Sequence, residues 1–242
     1  MNHGLRTALT RVGMFMTTVI VLVLFIFALF RAIGLPVSVG WIGRTLTGQF
    51  GVSKFDGEPV MQLIVERLPA SLELVAGSIF IALVCGLLVG TAARRSPQGM
   101  RQTIECLGLA LTSVPAFWLI RFAQVWVATH LHVQAAGLAG TDRFDVGDRL
   151  AHLFLPATLL ALVQIPAVVE WVVARQRPAP LTAILARRLP TVFAMGLLVE
   201  VLFAWPGEGR LFFHSGLLSV LGVLLVYAVF AIGARTITAS DV

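Results

Sequence analysis

The chain has 242 residues, of which 58% are hydrophobic and 12% charged, and its formal net charge is +6 at pH 7. A soluble domain of this length has about a quarter of its residues charged. So few charges cannot surround the apolar residues with a polar shell, which excludes an ordinary soluble protein and predicts an integral membrane protein in a lipid bilayer. The basic residues lie at the ends of apolar segments and form no patch interleaved with aromatic residues, so the charge does not indicate nucleic-acid binding.

The first apolar run is Val12–Phe30, and it follows the basic residues Arg6 and Arg11. It is long for the apolar part of a signal peptide, and no small-x-small cleavage site follows it. We therefore predict a retained transmembrane helix within residues 1–34, with its N-terminus in the cytoplasm. Residues 35–67 are the most polar part of the chain and are rich in glycine, which predicts an extracytoplasmic loop.

The second predicted crossing is Leu68–Ala93. We expect Pro69 in its first turn, where the missing N–H costs nothing, and Glu73 about one turn later, near the positive end of the helix. Gly86 and Gly90 form a GxxxG pattern, which predicts a close contact between helices within this protein.

The third and fourth crossings are each interrupted by proline. Thr103–Val127 contains Pro115 in its middle, which predicts a kink, and Arg121 beyond it is expected to reach the membrane surface or to pair with a carboxylate. Leu153–Val173 is the fourth crossing, with Gln164 in mid-span.

The fifth crossing is the stretch Leu189–Leu211. It starts at a basic edge, contains the carboxylate of Glu200 within an apolar run, and ends in a turn-forming sequence. Tryptophan is a common interfacial anchor and Pro-Gly fixes a turn, so we predict a rigid outer turn at Trp205, Pro206 and Gly207.

Leu217–Ala234 is the sixth predicted crossing, so residues 68–242 form a core of about five transmembrane helices. The sequence thus predicts an all-α polytopic membrane protein. Arginine is denser in the short inner segments than in the long outer ones, which favours N- and C-termini on the cytoplasmic side.

The sequence lacks the patterns of a catalytic or cofactor site, with no Gly-rich phosphate loop, HExxH or GxSxG motif. His130 and His132 form only a two-residue HxH pair, and Cys85 and Cys106 form no CxxC pair, so no metal site is predicted. We therefore expect neither an enzyme nor a cofactor.

Transport is the class of function that remains. Polar groups in apolar segments are candidates for a transport pathway or for contacts between helices. A contact between helices is the more ordinary alternative for each of them. The polar candidates are Glu73, Gln164 and Glu200, and Pro115, which frees a backbone carbonyl within the third crossing, is the fourth candidate.

Five landmarks resemble the permease subunits of bacterial ABC importers for oligopeptides, dipeptides and nickel, and most closely the first of the two permeases of such importers. They occur in the family's order over about residues 49–211. They are Gln49-Phe50-Gly51 with Glu66-Arg67-Leu68-Pro69-Ala70-Ser71-Leu72-Glu73-Leu74, Ser113-Val114-Pro115-Ala116-Phe117-Trp118-Leu119, Leu155-Pro156-Ala157, Leu189-Pro190, and Glu200 followed by Phe203-x-Trp205-Pro206-Gly207-x-Gly209-Arg210-Leu211.

The resemblance implies an ABC-importer permease fold in the bacterial inner membrane and a heterodimer with a second permease. It also implies two cytoplasmic ATPase subunits, which would hydrolyse ATP, and an extracytoplasmic substrate-binding protein. The chain itself would supply half of the translocation path for peptides or a related small solute such as nickel. The predicted outer turn would then face the binding protein or plug the path.

Two segments depart from the family: the outer segment after the first crossing is shorter than usual, and the cytoplasmic loop before the Leu-Pro landmark is altered. The family's cytoplasmic loop before the Leu-Pro landmark carries a coupling helix with a central glycine that docks into the ATPase. Here the interval from Glu170 to Leu189 is shorter and lacks this glycine, and Pro178 and Pro180 disfavour a long continuous helix. A short helix, about Leu181–Arg188, is the most that we expect.

The candidate ATPase-coupling residues are basic: Arg175, Arg177, Arg187 and Arg188. They could equally be anchors that only set the orientation. The shortened loop also suits a different class of protein, a degenerate or accessory membrane subunit that assembles with a permease but is not coupled to ATP hydrolysis. A stand-alone transporter or channel is the third alternative, but the chain lacks the internal repeat or charged relay expected of one.

Overall fold

A computed structural model of the chain describes residues 3–32, 34, 38–53, 57–130, 146–174, 180–214 and 217–238, and these form ten helices and one isolated bridge between Val52 and Pro59. The all-α fold predicted from the sequence is confirmed. The helices are α1 (His3–Ala32), α2 (Val39–Leu46), α3 (Val60–Arg95), α4 (Gln98–Ser113), α5 (Ala116–His130), α6 (Val146–Leu162), α7 (Ile165–Val173), α8 (Leu181–Leu202), α9 (Gly209–His214) and α10 (Leu217–Thr238).

Three helices are long and apolar enough to cross a membrane, namely Leu9–Ala32 within α1, α3 and α8. The pairs α4–α5 and α6–α7 each qualify together, by length and composition, as a bent crossing, and the total is five if each pair is one crossing. The apolar part of α10, Val220–Ala234, is shorter than the roughly 20 residues that a bilayer requires. The sixth crossing therefore stays a prediction. Large apolar side chains cover the outer faces of the helices, as lipid contact requires, among them Phe25, Phe80, Leu88 and Phe154.

Helix α3 is the central element, because it packs against α6, α7, α8 and α10. The expectation that Pro69 lies in the first turn of this helix was wrong, since the helix begins at Val60 and Pro69 lies inside it. The 36 residues of α3 span about 54 Å, much more than the apolar thickness of a bilayer. Its first two turns, with Gln62 and Glu66 exposed and hydrogen bonded to each other, are too polar for hydropathy to include them in the crossing.

The GxxxG pattern makes the predicted close contact. A Cβ atom on Gly86 would lie 2.6 Å from Cβ of Val168, and one on Gly90 would lie 2.7 Å from Cβ of Val172. Both valines belong to α7, so two small residues of α3 face two β-branched residues of α7 at the same i, i+4 spacing. Only glycine lets the two backbones approach this closely.

Two predicted crossings are broken more sharply than a kink. At Pro115 the axes of α4 and α5 differ by 95°, and at Gln164 those of α6 and α7 differ by 53°. Pro115 cannot donate the helical hydrogen bond and disfavours helical geometry in Val114, which ends α4 in an extended conformation. Pro166 occupies the first turn of α7, where proline is well tolerated.

Helix α8 corrects the expectation of a separate short helix at Leu181–Arg188. It runs without interruption from Leu181 to Leu202, so those residues are the first turns of the fifth crossing. Pro180 precedes the helix, where it blocks N-terminal extension, and Pro190 is accommodated inside it.

Candidate functional site

The predicted outer turn follows α8 and folds back over the end of that helix. The backbone N–H of Trp205 donates to the carbonyl of Glu200 at 2.9 Å, and that of Ala204 donates to the carbonyl of Val201. Ala204 has a φ of 50°, a left-handed conformation that side-chain-bearing residues adopt at a cost. The surrounding contacts must therefore maintain this reversal of the chain.

The Glu200 carboxylate is the centre around which the turn closes. Its side chain is 1% exposed, and Oε2 accepts a hydrogen bond from the backbone N–H of Gly209. A Cβ atom on Gly207 would overlap this carboxylate, and one on Gly209 would lie 2.5 Å from the carbonyl oxygen of Leu197. Glycine is therefore required on both sides of Glu208.

Two hydrogen bonds fix the turn to α3. The indole Nε1 of Trp205 donates to the carbonyl of Ala70 at 2.9 Å, and the backbone N–H of Glu208 donates to Oγ of Ser71 at 2.8 Å. Trp205 is 1% exposed, so its indole lies inside the protein and not at a lipid interface. The role of the turn toward a binding protein or a path stays a prediction.

Glu208 adds a second buried carboxyl group beside the first. It is 0% exposed, and neither of its carboxyl oxygens has a hydrogen-bond partner among the residues that the structure describes. Tyr227 of α10, the single tyrosine of the sequence, lies near both carboxyl groups and stacks on Phe193 of α8 with ring centroids 4.4 Å apart. Four segments thus converge here: α3, α8, the turn and α10.

Glu73 joins α3 to the beginning of α6. The guanidinium of Arg149 donates through Nε to both carboxylate oxygens of Glu73 at 2.9 Å, and its second nitrogen also donates to Oε2. Such two-point pairing fixes orientation as well as adding energy. The expectation that Glu73 lies near the N-terminal end of its helix was wrong, since α3 begins thirteen residues earlier, at Val60.

Gln164 joins α3 to the break between α6 and α7. Its amide nitrogen donates to Oγ of Ser78 at 3.0 Å and to the carbonyl of Leu160 at 3.2 Å, and the side chain is 4% exposed. Glu73, Gln164 and Glu200 are therefore all in helix contacts, while Pro115 marks the α4–α5 break. Whether any of them also lines a path stays a prediction.

Arg121 is linked to the outer turn through one intermediate residue. It donates to Oε1 of Gln124 at 2.6 Å, and Nε2 of Gln124 donates to the carbonyl of Leu202, the last residue of α8. Of the two expectations for Arg121, the pairing is with an amide and not with a carboxylate, and its reach to the membrane surface stays a prediction. The Gln124 side chain supplies a donor that a terminal helix carbonyl otherwise lacks.

The candidate coupling arginines are only partly described. Arg175 and Arg177 lie outside the described residues. Arg187 is exposed and Arg188 half-buried, both on α8 where it continues into the crossing. Arg188 and Gln164 line the same small cavity between α6 and α8.

No group of three or more potential metal ligands occurs in the described part of the chain. His132 falls outside it, and the His130 ring stacks on Trp126 with centroids 5.0 Å apart.

Sequence reasoning found Glu200 and the turn but missed Ser71, Glu208 and Tyr227 as their partners. Two signals were available: Glu208 stands between two glycines, and Tyr227 is a polar ring in an apolar helix. Neither reveals which residues meet, because Ser71 and Glu208 are 137 positions apart.

A search of protein-family models found none that matches the chain. Individual proteins do match. The oligopeptide transport system permease protein AppB of Bacillus subtilis is 26% identical over 213 residues, covering 72% of this chain and 66% of AppB. The peptide transport system permease protein SapB of Haemophilus influenzae is 25% identical, with 70% of each chain covered.

The dipeptide transport system permease protein DppB of Escherichia coli is 23% identical over 225 residues, covering 70% of this chain and 66% of DppB. The chain is thus similar to bacterial peptide-transport permeases at 23–26% identity. The resemblance seen in the motifs is thereby confirmed. The matches span about two thirds of these permeases' own length, 66% of AppB and of DppB.

Proposed function

We propose that the chain is a transmembrane permease subunit of a binding-protein-dependent ABC importer and forms half of a translocation path for peptides. The observation that carries the proposal is the similarity to three peptide-transport permeases over 70–72% of the chain. It is supported by the outer turn, because the landmark residues Glu200, Trp205 and Gly207 occupy one interlocked site. Shared landmarks that pack together support a shared fold around them.

The proposed complex contains a second permease, two cytoplasmic ATPase subunits and an extracytoplasmic binding protein. The proposed location is the bacterial inner membrane, with both termini in the cytoplasm. In this orientation the end of α8 and the outer turn face the binding protein, while Arg94 and Arg95 at the end of α3 face the cytoplasm. The same orientation places the start of α8 beside the ATPase.

A second candidate function is an accessory subunit that assembles with a permease without coupling to ATP hydrolysis. One observation favours it: residues 174–180 are all that separates α7 from α8. A segment this short can form no more than about two helical turns. Any ATPase contact of α8 would therefore be made by the crossing helix itself.

Peptide uptake distinguishes the two candidates. The chain is deleted in its native bacterium, and uptake of labelled dipeptides and oligopeptides is measured with and without the wild-type chain restored. The proposal predicts loss of ATP-dependent uptake on deletion and its recovery on restoration. Uptake that is unchanged by deletion would overturn it, and uptake that is reduced but insensitive to ATP depletion would favour the accessory function.

A further inference from the structure

Among the residues that the structure describes, none that acts on the two buried carboxyl groups at the outer turn is a cation. Glu200 is 1% exposed and Glu208 is 0% exposed. Oε2 of Glu200 accepts the backbone N–H of Gly209, whereas both carboxyl oxygens of Glu208 lack a hydrogen-bond partner in the described part of the chain. A burial this complete is unusual for a carboxylate, because glutamate is rarely buried unless it is paired.

The groups facing the pair come from each element packed around it. Ser71 on α3 is neutral, and Tyr227 on α10 is a phenol. Arg210 on α9 is the nearest basic residue along the chain, and it is exposed. Among the described residues that face the site, the donors are therefore neutral.

Two negative charges cannot both persist in such surroundings. Removing an uncompensated carboxylate from water is costly, and a second carboxylate nearby adds repulsion. Protonation of one carboxylate removes this cost, because it neutralises the charge and requires no cavity. The protonated carboxyl group can then donate a hydrogen bond to a neighbouring group.

We propose that Glu200 and Glu208 form a proton-binding site that retains one proton at neutral pH and thereby keeps the outer turn closed on α3 and α10. Glu208 is the member that carries the proton, since Glu200 already accepts the Gly209 N–H, whereas no described group forms a hydrogen bond of normal geometry with the Glu208 oxygens and only the Tyr227 hydroxyl lies near them. The inference concerns this turn alone and does not depend on the proposed function.

The expected titration agrees with this geometry. Burial, and next the negative charge of Glu200, raise the pKa of Glu208 to about 8. A carboxyl group whose pKa is higher in the folded than in the unfolded chain stabilises the fold below its unfolded value, near 4.5, and this contribution is lost as the pH rises through about 8. The turn should therefore loosen in mildly alkaline solution.

The test is the thermal unfolding of the purified chain in mild detergent from about pH 5 to about pH 9. We expect the Tm of the wild type to fall by on the order of 5 °C across this range, whereas Glu208→Gln, which cannot ionise, removes most of the decrease. The matched control is Glu66→Gln, an exposed glutamate on α3, which should follow the wild type. A wild-type Tm that is constant over the range, or a Glu208→Gln variant that falls as steeply as the wild type, would overturn the proposal.

A second measurement keeps the proposal falsifiable if Glu208→Gln fails to fold. Infrared difference spectra of the folded wild type, recorded between mildly acidic and alkaline pH, report the carbonyl stretch of a protonated carboxyl group. The proposal predicts that this band is present at neutral pH and disappears near pH 8. Absence of a protonated carboxyl band at neutral pH would refute it.

Discussion

At the scale of single residues, the carboxylate of Glu200 has a structural role in the turn after α8. The turn after α8 closes around it, and Gly207 and Gly209 are small because the carboxylate and the end of α8 occupy the space that a side chain would need. Trp205 then fastens the closed turn to α3. The landmark that resembles the permease family is therefore explained by packing around one buried acid.

We predict that Gly207→Ala destabilises the folded chain by about 1–3 kcal/mol, because the added methyl group overlaps the Glu200 carboxylate and the turn must open to admit it. Thermal unfolding in detergent measures the change. Gly99→Ala on α4 is the control, since nothing lies within 4 Å of the position where its Cβ would be. Equal Tm values for the two variants would show that the turn is not closed on Glu200.

Only some of the residues of this site could be predicted from the sequence. A carboxylate in an apolar run and a Trp-Pro-Gly turn are visible in the sequence, and both proved to be parts of one site. Their partners Ser71 and Tyr227 are ordinary residues in helical segments, and only the packing of α3 and α10 brings them to the turn. Local sequence patterns carry no information on such long-range contacts.

At the scale of helices, hydropathy located the apolar segments but not the helix ends or the bends. It placed a span from Leu68, whereas α3 begins at Val60, because the helix also includes polar residues that hydropathy leaves out of a crossing. It treated Pro115 as a kink in one helix, whereas the chain turns by 95° there. Hydropathy reports only whether a segment prefers lipid. The direction of the backbone after a proline depends instead on the neighbouring groups that hydrogen-bond the carbonyls left without a helical partner.

The α3–α7 contact gives a prediction at this scale. Gly86→Ala should destabilise the protein by about 1–3 kcal/mol, since its Cβ would lie 2.6 Å from Cβ of Val168 and the helices must separate. Gly13→Ala on α1, where nothing lies within 4 Å, is the control and should leave the Tm unchanged or slightly raised. Tolerance of Gly86→Ala would mean that α3 and α7 are not in close contact.

The start of α8 gives a second prediction at this scale. If the proposed coupling through this helix holds, replacing Arg187 and Arg188 by glutamate should abolish recovery of the ATPase with the tagged chain, because a basic surface that meets the ATPase would become acidic. Replacing Arg94 and Arg95 by glutamate at the exposed end of α3 is the matched control. Unchanged ATPase recovery from the α8 variant would leave these arginines as orientation anchors only.

At the scale of the whole molecule, the chain is a set of helices around α3 whose exposed faces are apolar. Polar contacts between distant segments add to the apolar core: Glu73 with Arg149, Gln164 with Ser78, and Trp205 with Ala70. Each of these contacts ties α3 to a different neighbour. Such fixed contacts suit a subunit that is proposed to form half of a translocation path and to keep its shape while it is assembled with a partner permease.

The measurement that tests the central claim most directly is to purify the tagged chain in mild detergent from its native membrane and identify what accompanies it. The proposed function predicts recovery of a second permease together with an ATP-hydrolysing subunit. A partner permease without any ATPase would favour the accessory function. Recovery of the chain alone, from membranes in which such ATPases are present, would contradict the account.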